Sequence, residues 1–384
     1  MVRLENMPLD ARRKKKGSPA AAKNKQPSIR CTAARQPDLP QHAGLKHVAA
    51  HVGLSVAAVS RVLSHAPAAR SIPEKTKQRI RDAARLLNYQ PNALAQSLRN
   101  RRSSTIGVMV PEISEGYATL VLSGIEERLM QEGYFYFLVS HHHRQDLIES
   151  YQRLLLTRAV EGIIVVDTPL DYRAAVPMVA ISGRHTRDGV TSVVVNHEVA
   201  GRLAMQHLRE LGHRRIAFIK GQQFSSDTQA RWQGIRHAAK ALRMTIDPLL
   251  VAQLEGERPD HEPGYTATRG LLAKGLPFTA LFAFNDTAAI GAVLAIRETG
   301  LRVPEDISVV GFDDVQSAAF QNPALTTVRQ PLRKMGIIAA ETILAEIAQL
   351  HAQPTTHLRP ERLIVDPEFV VRASTAKAAK TRSA

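Results

Sequence analysis

The chain has 384 residues, and its 51 lysines and arginines against 35 aspartates and glutamates give it a formal net charge of +16. This length exceeds what one compact core usually needs, so we expect two or three domains. The single cysteine, Cys31, excludes an internal disulfide, and we find no uninterrupted apolar run near the roughly 20 residues that span a membrane.

The excess positive charge lies entirely in the N-terminal part of the chain. Residues 1–105 contain 21 basic and 5 acidic residues, whereas residues 106–384 contain 30 of each. A neutral body with a basic end predicts a polyanionic partner for that end, although a solvated basic tail would give the same count. Residues 1–44 have almost no large apolar groups and no secretory h-region, so we expect a disordered tail on a soluble cytoplasmic protein.

Residues 45–90 have the pattern of short helices with tight breaks. A first amphipathic helix leads to Gly53, which falls where a turn needs a positive φ. Ser55 is a suitable N-cap for the next helix. Two short helices joined by a glycine turn predict a helix-turn-helix, whose second helix enters the major groove of DNA. Pro91 then ends the headpiece, and residues 91–103 contain one more short helical segment.

From residue 104 the pattern changes to short apolar runs that alternate with amphipathic stretches, and this alternation occurs twice. Such a pattern predicts an α/β core of two parallel-sheet, Rossmann-like lobes, with a ligand crevice beyond the carboxyl ends of the strands. The expected boundaries are a first lobe of about 104–196 plus helix 331–350, a second lobe of about 197–330 plus 351–373, and a disordered tail at 374–384.

In order and spacing, these motifs resemble the lac-repressor (LacI/GalR) family of bacterial regulators. The resemblance covers about residues 45–373 and rests on segments such as LKHVAAHVGLSVAAVSRVL, HLRELGHRRIAFIKG and FNDTAAIGAVLAIRETGLRVPEDISVVGFDD. It implies a homodimeric repressor of a sugar or sugar-acid catabolic operon, with a core like that of periplasmic sugar-binding proteins. Its partners would be palindromic double-stranded operator DNA and a small carbohydrate-like effector bound between the lobes.

By this resemblance, Val56, Ala57 and Arg61 read base edges. Arg61 can contact guanine O6 and N7, whereas Val56 and Ala57 offer only apolar contact to a thymine methyl group. The alternative for Val56 and Ala57 is plain helix packing. Ser55 and Ser60 hold phosphates, or cap the helix and pack against the turn.

Residues 91–103 resemble the family's hinge helix, which lies in the minor groove and inserts a leucine at the operator centre. Leu98 occupies that position, so specificity would depend on how easily the DNA deforms. The alternative is a linker helix whose Leu98 packs on its dimer mate. The other DNA contacts assigned to this segment are Asn92, Ala95, Gln96 and Arg99.

Residues at the ends of predicted strands match the family's ligand contacts. Arg231, Asn285 and Asp313 match three polar contacts, and Tyr117 matches an aromatic wall. A guanidinium, an amide and a carboxylate suit neighbouring hydroxyls on a sugar; the alternative for Arg231 is an ion pair between the lobes with Asp313. Further candidates are Arg184, Ser225 and Asp227.

The sequence also departs from the family pattern. Ser182 and Asn196 stand where relatives often have aspartate, and the aromatic residue expected after Glu255–Gly256 is missing. Two acidic residues of the family pattern are therefore absent, while Arg231 is present and Arg184 lies nearby in the sequence. This difference leads to the hypothesis that the effector is an acidic or phosphorylated sugar.

No motif predicts an enzyme. We find no nucleophile elbow, Walker loop, zinc pattern or GxGxxG after a strand, and nothing completes a metal site around His141–His143, which would lie in an exposed loop unless one of them lines the crevice. We therefore expect no catalytic activity, cofactor or metal. The alternative function is a periplasmic-type solute-binding protein of a sugar transporter. No leucine heptad follows Asp366, so we expect a dimer rather than a tetramer, with helices 117–130 and 286–298 in its interface.

Overall fold

The computed structural model forms two compact units, an N-terminal headpiece up to Pro91 and a core from Asn92 onward. The residues it describes are 43–64, 66–90, 102–113, 116–169, 175–182, 190–256, 260–353 and 358–378. Most of the predicted N-terminal tail and of the predicted hinge segment therefore lies outside the described residues.

The headpiece contains three α-helices around a small apolar core. They are α1 (Leu45–Val52), α2 (Val56–Leu63) and α3 (Glu74–Leu86). Gly53 ends α1 with φ of 66°, and the Ser55 side chain caps α2 by accepting the Ala58 N–H at 3.2 Å. Val48, Val59 and Ile80, one from each helix, have no exposed surface. The predicted helix-turn-helix is present.

The first lobe of the core is a parallel sheet flanked by helices. Its elements are β1 (Thr105–Val110), α4 (Tyr117–Gln131), β2 (Phe135–Ser140), α5 (Gln145–Thr157), β3 (Gly162–Val166), β4 (Met178–Ile181) and β5 (Thr191–Val195). The central strands β1 and β3 are apolar runs buried on both faces, as a sheet with helices on each side requires.

The second lobe repeats this architecture. Its elements are α6 (His197–Glu210), β6 (Ile216–Lys220), α7 (Thr228–Ala241), β7 (Val251–Gln253), α8 (Glu262–Ala273), β8 (Ala280–Phe282), α9 (Asp286–Glu298), β9 (Ser308–Asp313), α10 (Gln316–Ala319) and β10 (Thr326–Arg329). In each lobe, the carboxyl ends of the parallel strands therefore lie along one edge of the sheet. This is the edge at which open α/β sheets bind ligands.

The C-terminal segment contributes to both lobes. It consists of α11 (Leu332–Ala352), β11 (Arg362–Val365) and β12 (Glu368–Val370). The sheet orders are β11-β5-β4-β3-β1-β2 and β12-β10-β9-β8-β6-β7, and β12 is antiparallel to β10.

Two of the expected boundaries are corrected here. Residues 351–373 were assigned to the second lobe, but β11 adds to the open edge of β5 in the first sheet, and only β12 joins the second. Residues 374–378 are ordered, because the buried Ser374 hydroxyl donates to the Val309 carbonyl at 2.6 Å and accepts the Thr326 N–H at 2.8 Å.

Among the described helices, α11 alone is long and apolar enough to cross a membrane by length and composition. It is not an uninterrupted apolar run, because the charged residues Arg333, Lys334, Glu341 and Glu346 lie within it. Its apolar face, including Met335 and Ile343, is buried in the first-lobe core. Gly336 lets it approach α4 so closely that a Cβ there would lie 2.1 Å from the Val121 carbonyl oxygen. We therefore interpret α11 as a core helix.

Candidate DNA-reading helix and interlobe crevice

The outward face of α2 presents few side chains that could contact a base, as the sequence predicts. Val59 and Val62 are buried on the inner face, whereas Val56 is 41% exposed and Ala57 and Arg61 are also exposed. Within the headpiece, Val56 and Ala57 are therefore not used for packing. One guanidinium and two small apolar groups are available to base edges, and their contact with DNA stays a prediction.

The second group of predicted DNA contacts belongs to the segment 91–103. Asn92, Ala95, Gln96, Leu98 and Arg99 lie outside the described residues, as does the effector candidate Arg184.

The other candidate effector residues converge on one crevice between the two lobes of the core. It encloses a cavity of about 120 Å³ at the carboxyl ends of the parallel strands. The predicted residues that line it are Tyr117, Ser225, Asp227, Arg231, Asn285 and Asp313.

Arg231 lies at the centre of the polar side of this crevice, and it is 4% exposed. Its guanidinium carbon lies 3.6 Å from the ring centre of Phe312 and 4.3 Å from that of Phe284, and Nη1 donates to the Phe284 carbonyl. Ion pairs join it to Asp227 at 3.6 Å and to Asp313 at 3.9 Å. The expected ion pair with Asp313 is thus present, but it lies within the second lobe, not between the lobes. Two rings and two carboxylates fix the orientation of the guanidinium.

Asp227 has a strongly lowered pKa. Burial raises its pKa, but His197 at 3.5 Å and Arg231 outweigh burial and lower the pKa to about 2. The hydroxyl of Ser182 also hydrogen-bonds to this carboxylate and accepts from the Tyr117 hydroxyl at 2.6 Å. A second carboxylate at position 182 would face Asp227, which is a physical reason for serine at that departure from the family pattern.

Asp313 is held by partners behind the crevice. Burial raises its pKa to about 7, although Arg231 and the Gln330 amide, which donates at 2.6 Å, act in the opposite direction. Close by, the fully buried carboxyl of Asp286 accepts the Val315 N–H at 2.9 Å and faces the Thr327 hydroxyl at 2.6 Å. Burial and the neighbouring Asp313 raise the pKa of Asp286 well above its usual value.

Asn285 both lines the crevice and caps a helix. Its Oδ1 caps α9 by accepting the Ala288 N–H at 2.8 Å. The group that it can offer to a ligand is therefore the Nδ2 amide, a donor.

Besides the bond between Ser182 and Asp227, contacts of Asp167 and His143 also cross the crevice and connect the lobes. Asp167, at the end of β3, accepts from the Ser226 N–H at 2.9 Å, from the Ser226 hydroxyl, and from the Ser225 hydroxyl at 3.3 Å. The rings of His143 and Phe224 stack with centres 4.0 Å apart. Burial, and then Asp227, raise the pKa of Asp167.

The backbone is strained at this edge of both sheets. Asp167, Ser182, Asp313 and Asp314 have φ of 39°, 56°, 118° and 59°, where each non-glycine residue costs about 1–3 kcal/mol. Strain of this kind accumulates at functional sites because the surrounding structure must hold it. Asp314 forms ion pairs with Arg329 and Arg372, each at 2.6 Å.

The sequence reading missed several crevice residues. Asp167 ends the run GIIVVD, so the rule that crevice residues follow strands could have identified it. A crevice position was one alternative for the three consecutive histidines, and His143 does line the cavity, whereas His141 is buried and bonded to Thr168 at 2.8 Å. Phe224 and Gln330 carried no sequence signal. In the described parts of the chain, no cluster of three or more histidine, cysteine or acidic side chains could hold a metal.

Comparisons with known proteins agree with both units. Residues 44–92 match the family model of bacterial regulatory proteins of the lacI family, and residues 205–375 match the periplasmic binding protein-like domain. The HTH-type transcriptional repressor PurR of Haemophilus influenzae is 31% identical over 341 residues, which cover 86% of this chain and 98% of that protein.

Two solved structures extend the comparison to the fold. The lac repressor dimer bound to operator and the anti-inducer ONPF is 28% identical, covers 88% of this chain and all of its own, and superposes with a TM-score of 0.76. The complex of the transcriptional regulator CelR with cellobiose is 29% identical, covers 86% of this chain and 99% of its own, with a TM-score of 0.63. The chain therefore belongs to the lacI family of bacterial regulatory proteins, and it is a DNA-binding transcriptional repressor with an effector-binding domain, not an enzyme.

Proposed function

We propose that the protein represses a carbohydrate-utilisation operon as a homodimer in the cytoplasm, and that a neutral sugar bound in the crevice controls its affinity for a palindromic operator. The observation that carries this proposal is Arg231, whose guanidinium is fixed by Asp227, Asp313 and two rings at a polar cavity. A fixed fork of donors beside carboxylate acceptors suits a ligand rich in hydroxyl groups.

The charge of the crevice argues for a neutral ligand. Its described lining contains five acidic side chains, namely Glu112, Asp167, Asp227, Asp260 and Asp313, against the single guanidinium of Arg231. Asp227 already compensates that guanidinium. This excess of acidic side chains disfavours an acidic or phosphorylated sugar, so we favour a neutral polyol or sugar over the acidic effector that the sequence suggested. The CelR–cellobiose complex is a related structure with such a ligand.

A planar nucleobase is the second candidate. Tyr117, His143, Phe224 and Phe284 line the cavity, and aromatic rings of this kind can stack on a flat heterocycle. The H. influenzae relative named PurR makes this class worth testing directly.

The proposed control works through the contacts between the lobes. A ligand that bonds to both lobes favours one arrangement of Asp167 relative to Ser226, and the segment 91–103 connects that arrangement to the headpiece. Effector and operator binding are then linked by one coupling free energy, commonly about 1–3 kcal/mol, and each must change the affinity for the other by the same factor.

The test is a calorimetric titration of the full-length protein with neutral sugars, sugar acids, sugar phosphates and purine bases. We expect saturable binding of a neutral sugar, loss of that binding in Arg231→Ala, and retention in Lys240→Ala, which removes an exposed cation from the same helix. The bound compound should then shift operator affinity. Binding of sugar phosphates alone would overturn the neutral-ligand proposal, and binding of purines alone would favour the second candidate.

A further inference from the structure

The second lobe carries a groove that is separate from the crevice. It lies at the edge of the second sheet, beside the short strand β7, and its volume is about 520 Å³. Sites that bind small molecules usually have about 300–1,000 Å³. The lining residues on which the inference depends are Lys220, Trp232, Arg236, Ile246 and Val251.

Trp232, the only tryptophan of the chain, supplies a flat apolar wall. It is half-buried, and its ring packs edge-on against the buried Phe218, with centres 5.7 Å apart and an interplanar angle of 69°. The Lys220 Nζ lies 5.7 Å from the centre of the indole. An oriented indole beside a cation can stack on an unsaturated ring and attract negative charge at its edge.

The charge of the groove is positive. Arg236 follows Trp232 by four residues on α7, so both side chains lie on one face of the helix. The lining includes no acidic residue, and the adjacent Asp247 pairs with Arg215 at 3.6 Å. In the described part of the chain, no ion pair joins Lys220 or Arg236 to a carboxylate, so both cations are available to an anion.

We propose that this groove is a second ligand site, which binds a small organic anion that carries a flat unsaturated ring, as an aromatic carboxylate does. The ring stacks on Trp232, and the anionic group lies between Lys220 and Arg236. The site adjoins the crevice, because Gln222, two residues beyond Lys220 at the end of β6, and Arg231, directly before Trp232 on α7, both line the crevice. A ligand in the groove therefore contacts the elements that hold the effector.

The test uses 2-naphthoate as the probe and 2-naphthamide as its neutral analogue, with full-length protein. Calorimetry gives the dissociation constants, and the single indole N–H resonance of Trp232 reports where the probe binds. We expect saturable binding of 2-naphthoate with a shift of that resonance, and binding of the amide at least about tenfold weaker, since each tenfold step corresponds to about 1.4 kcal/mol.

Variants locate the site. Lys220→Met and Arg236→Met keep the apolar stems and remove the charges, and we expect each to weaken 2-naphthoate about three- to tenfold. Lys240→Met removes an exposed cation of α7 outside the groove and should leave binding unchanged. The proposal is overturned if no saturable binding occurs, if the amide binds as well as the acid, or if Arg231→Ala abolishes binding while Lys220→Met and Arg236→Met retain it.

Discussion

At the scale of single residues, the crevice contains acids with opposite titration behaviour. Burial raises the pKa of Asp313 to about 7, whereas His197 and Arg231 lower the pKa of Asp227 to about 2. Asp227 therefore stabilises the fold above pH 4, and this contribution falls only as the pH drops from about 4 to 2. The raised pKa of Asp313 has the opposite effect on stability. Between pH 4 and 7 this group binds more protons in the folded state than in the unfolded state, so its contribution to stability falls as the pH rises.

We therefore expect Asp313 to lower the melting temperature of the core as the pH rises from 5 to 8, against the histidines His141, His207 and His213, whose burial lowers their pKa values and acts in the opposite direction. Asp313→Asn, which cannot ionise, should remove this contribution to the slope, although Asp167 and Asp286 contribute in the same direction as Asp313. The control is Asp306→Asn, since the hydrogen bond and ion pair with Arg302 lower the pKa of this partly exposed acid, so that it does not titrate in that range. Differential scanning fluorimetry across the pH series measures the slope; an unchanged slope in Asp313→Asn would contradict the assignment.

A second residue-scale prediction concerns Asp286, which is buried behind the crevice. Its raised pKa favours the neutral carboxyl, and an asparagine side chain, which is also neutral, can replace its bonds to Val315 and Thr327. Asp286→Asn should therefore be tolerated. Asp286→Ala leaves both partners unsatisfied and should lower the free energy of unfolding by about 2–4 kcal/mol. Urea denaturation distinguishes the two variants, and equal losses would show that the carboxyl is ionised.

At the scale of elements, a substitution on the exposed face of α2 should weaken specific DNA binding and leave non-specific DNA binding largely unchanged. Its exposed face offers Arg61 as the only charged group able to read a base edge. We expect Arg61→Ala to weaken the preferred site, selected from a random DNA pool, by about 1–3 kcal/mol while binding to unrelated DNA changes little. Lys75→Ala, an exposed cation of α3, is the control and should affect all sequences alike. A uniform loss in Arg61→Ala would instead assign Arg61 to a phosphate.

The elements also show how far the sequence could predict this structure. Periodicity and turn residues are local properties, so the helices of the headpiece and the alternation of the core were predictable from Gly53, Ser55 and the apolar runs. The sequence could not predict that β11 joins the first sheet, because this pairing depends on which sheet edge is open to residues 362–365. Resemblance placed Arg231 and Asp313 in the crevice, but only the fold shows that both belong to one lobe and that Asp167 reaches across from the other.

At the scale of the whole molecule, Asp167 and Ser226 form a latch that a double-mutant cycle can measure. They come from different lobes and bond through both the backbone and the hydroxyl of Ser226. We expect Asp167→Ala to weaken effector binding about tenfold or more, because the lobes lose a contact that closes the cavity. Ser226→Ala should weaken effector binding by a smaller factor, because the backbone N–H of residue 226 still donates to Asp167. The double variant should bind the effector as weakly as Asp167→Ala does, since both changes remove the same interaction.

The same variants test whether closure is what connects the crevice to DNA. If it is, the factor by which the effector changes operator affinity must equal the factor by which operator changes effector affinity, and Asp167→Ala must reduce both together. Fluorescence anisotropy with labelled operator and calorimetry with effector give the two factors independently. Thr157→Ala, on α5, is a control that should change neither. A variant with weakened effector binding but unchanged coupling would show that the latch holds the ligand without transmitting its presence to the headpiece.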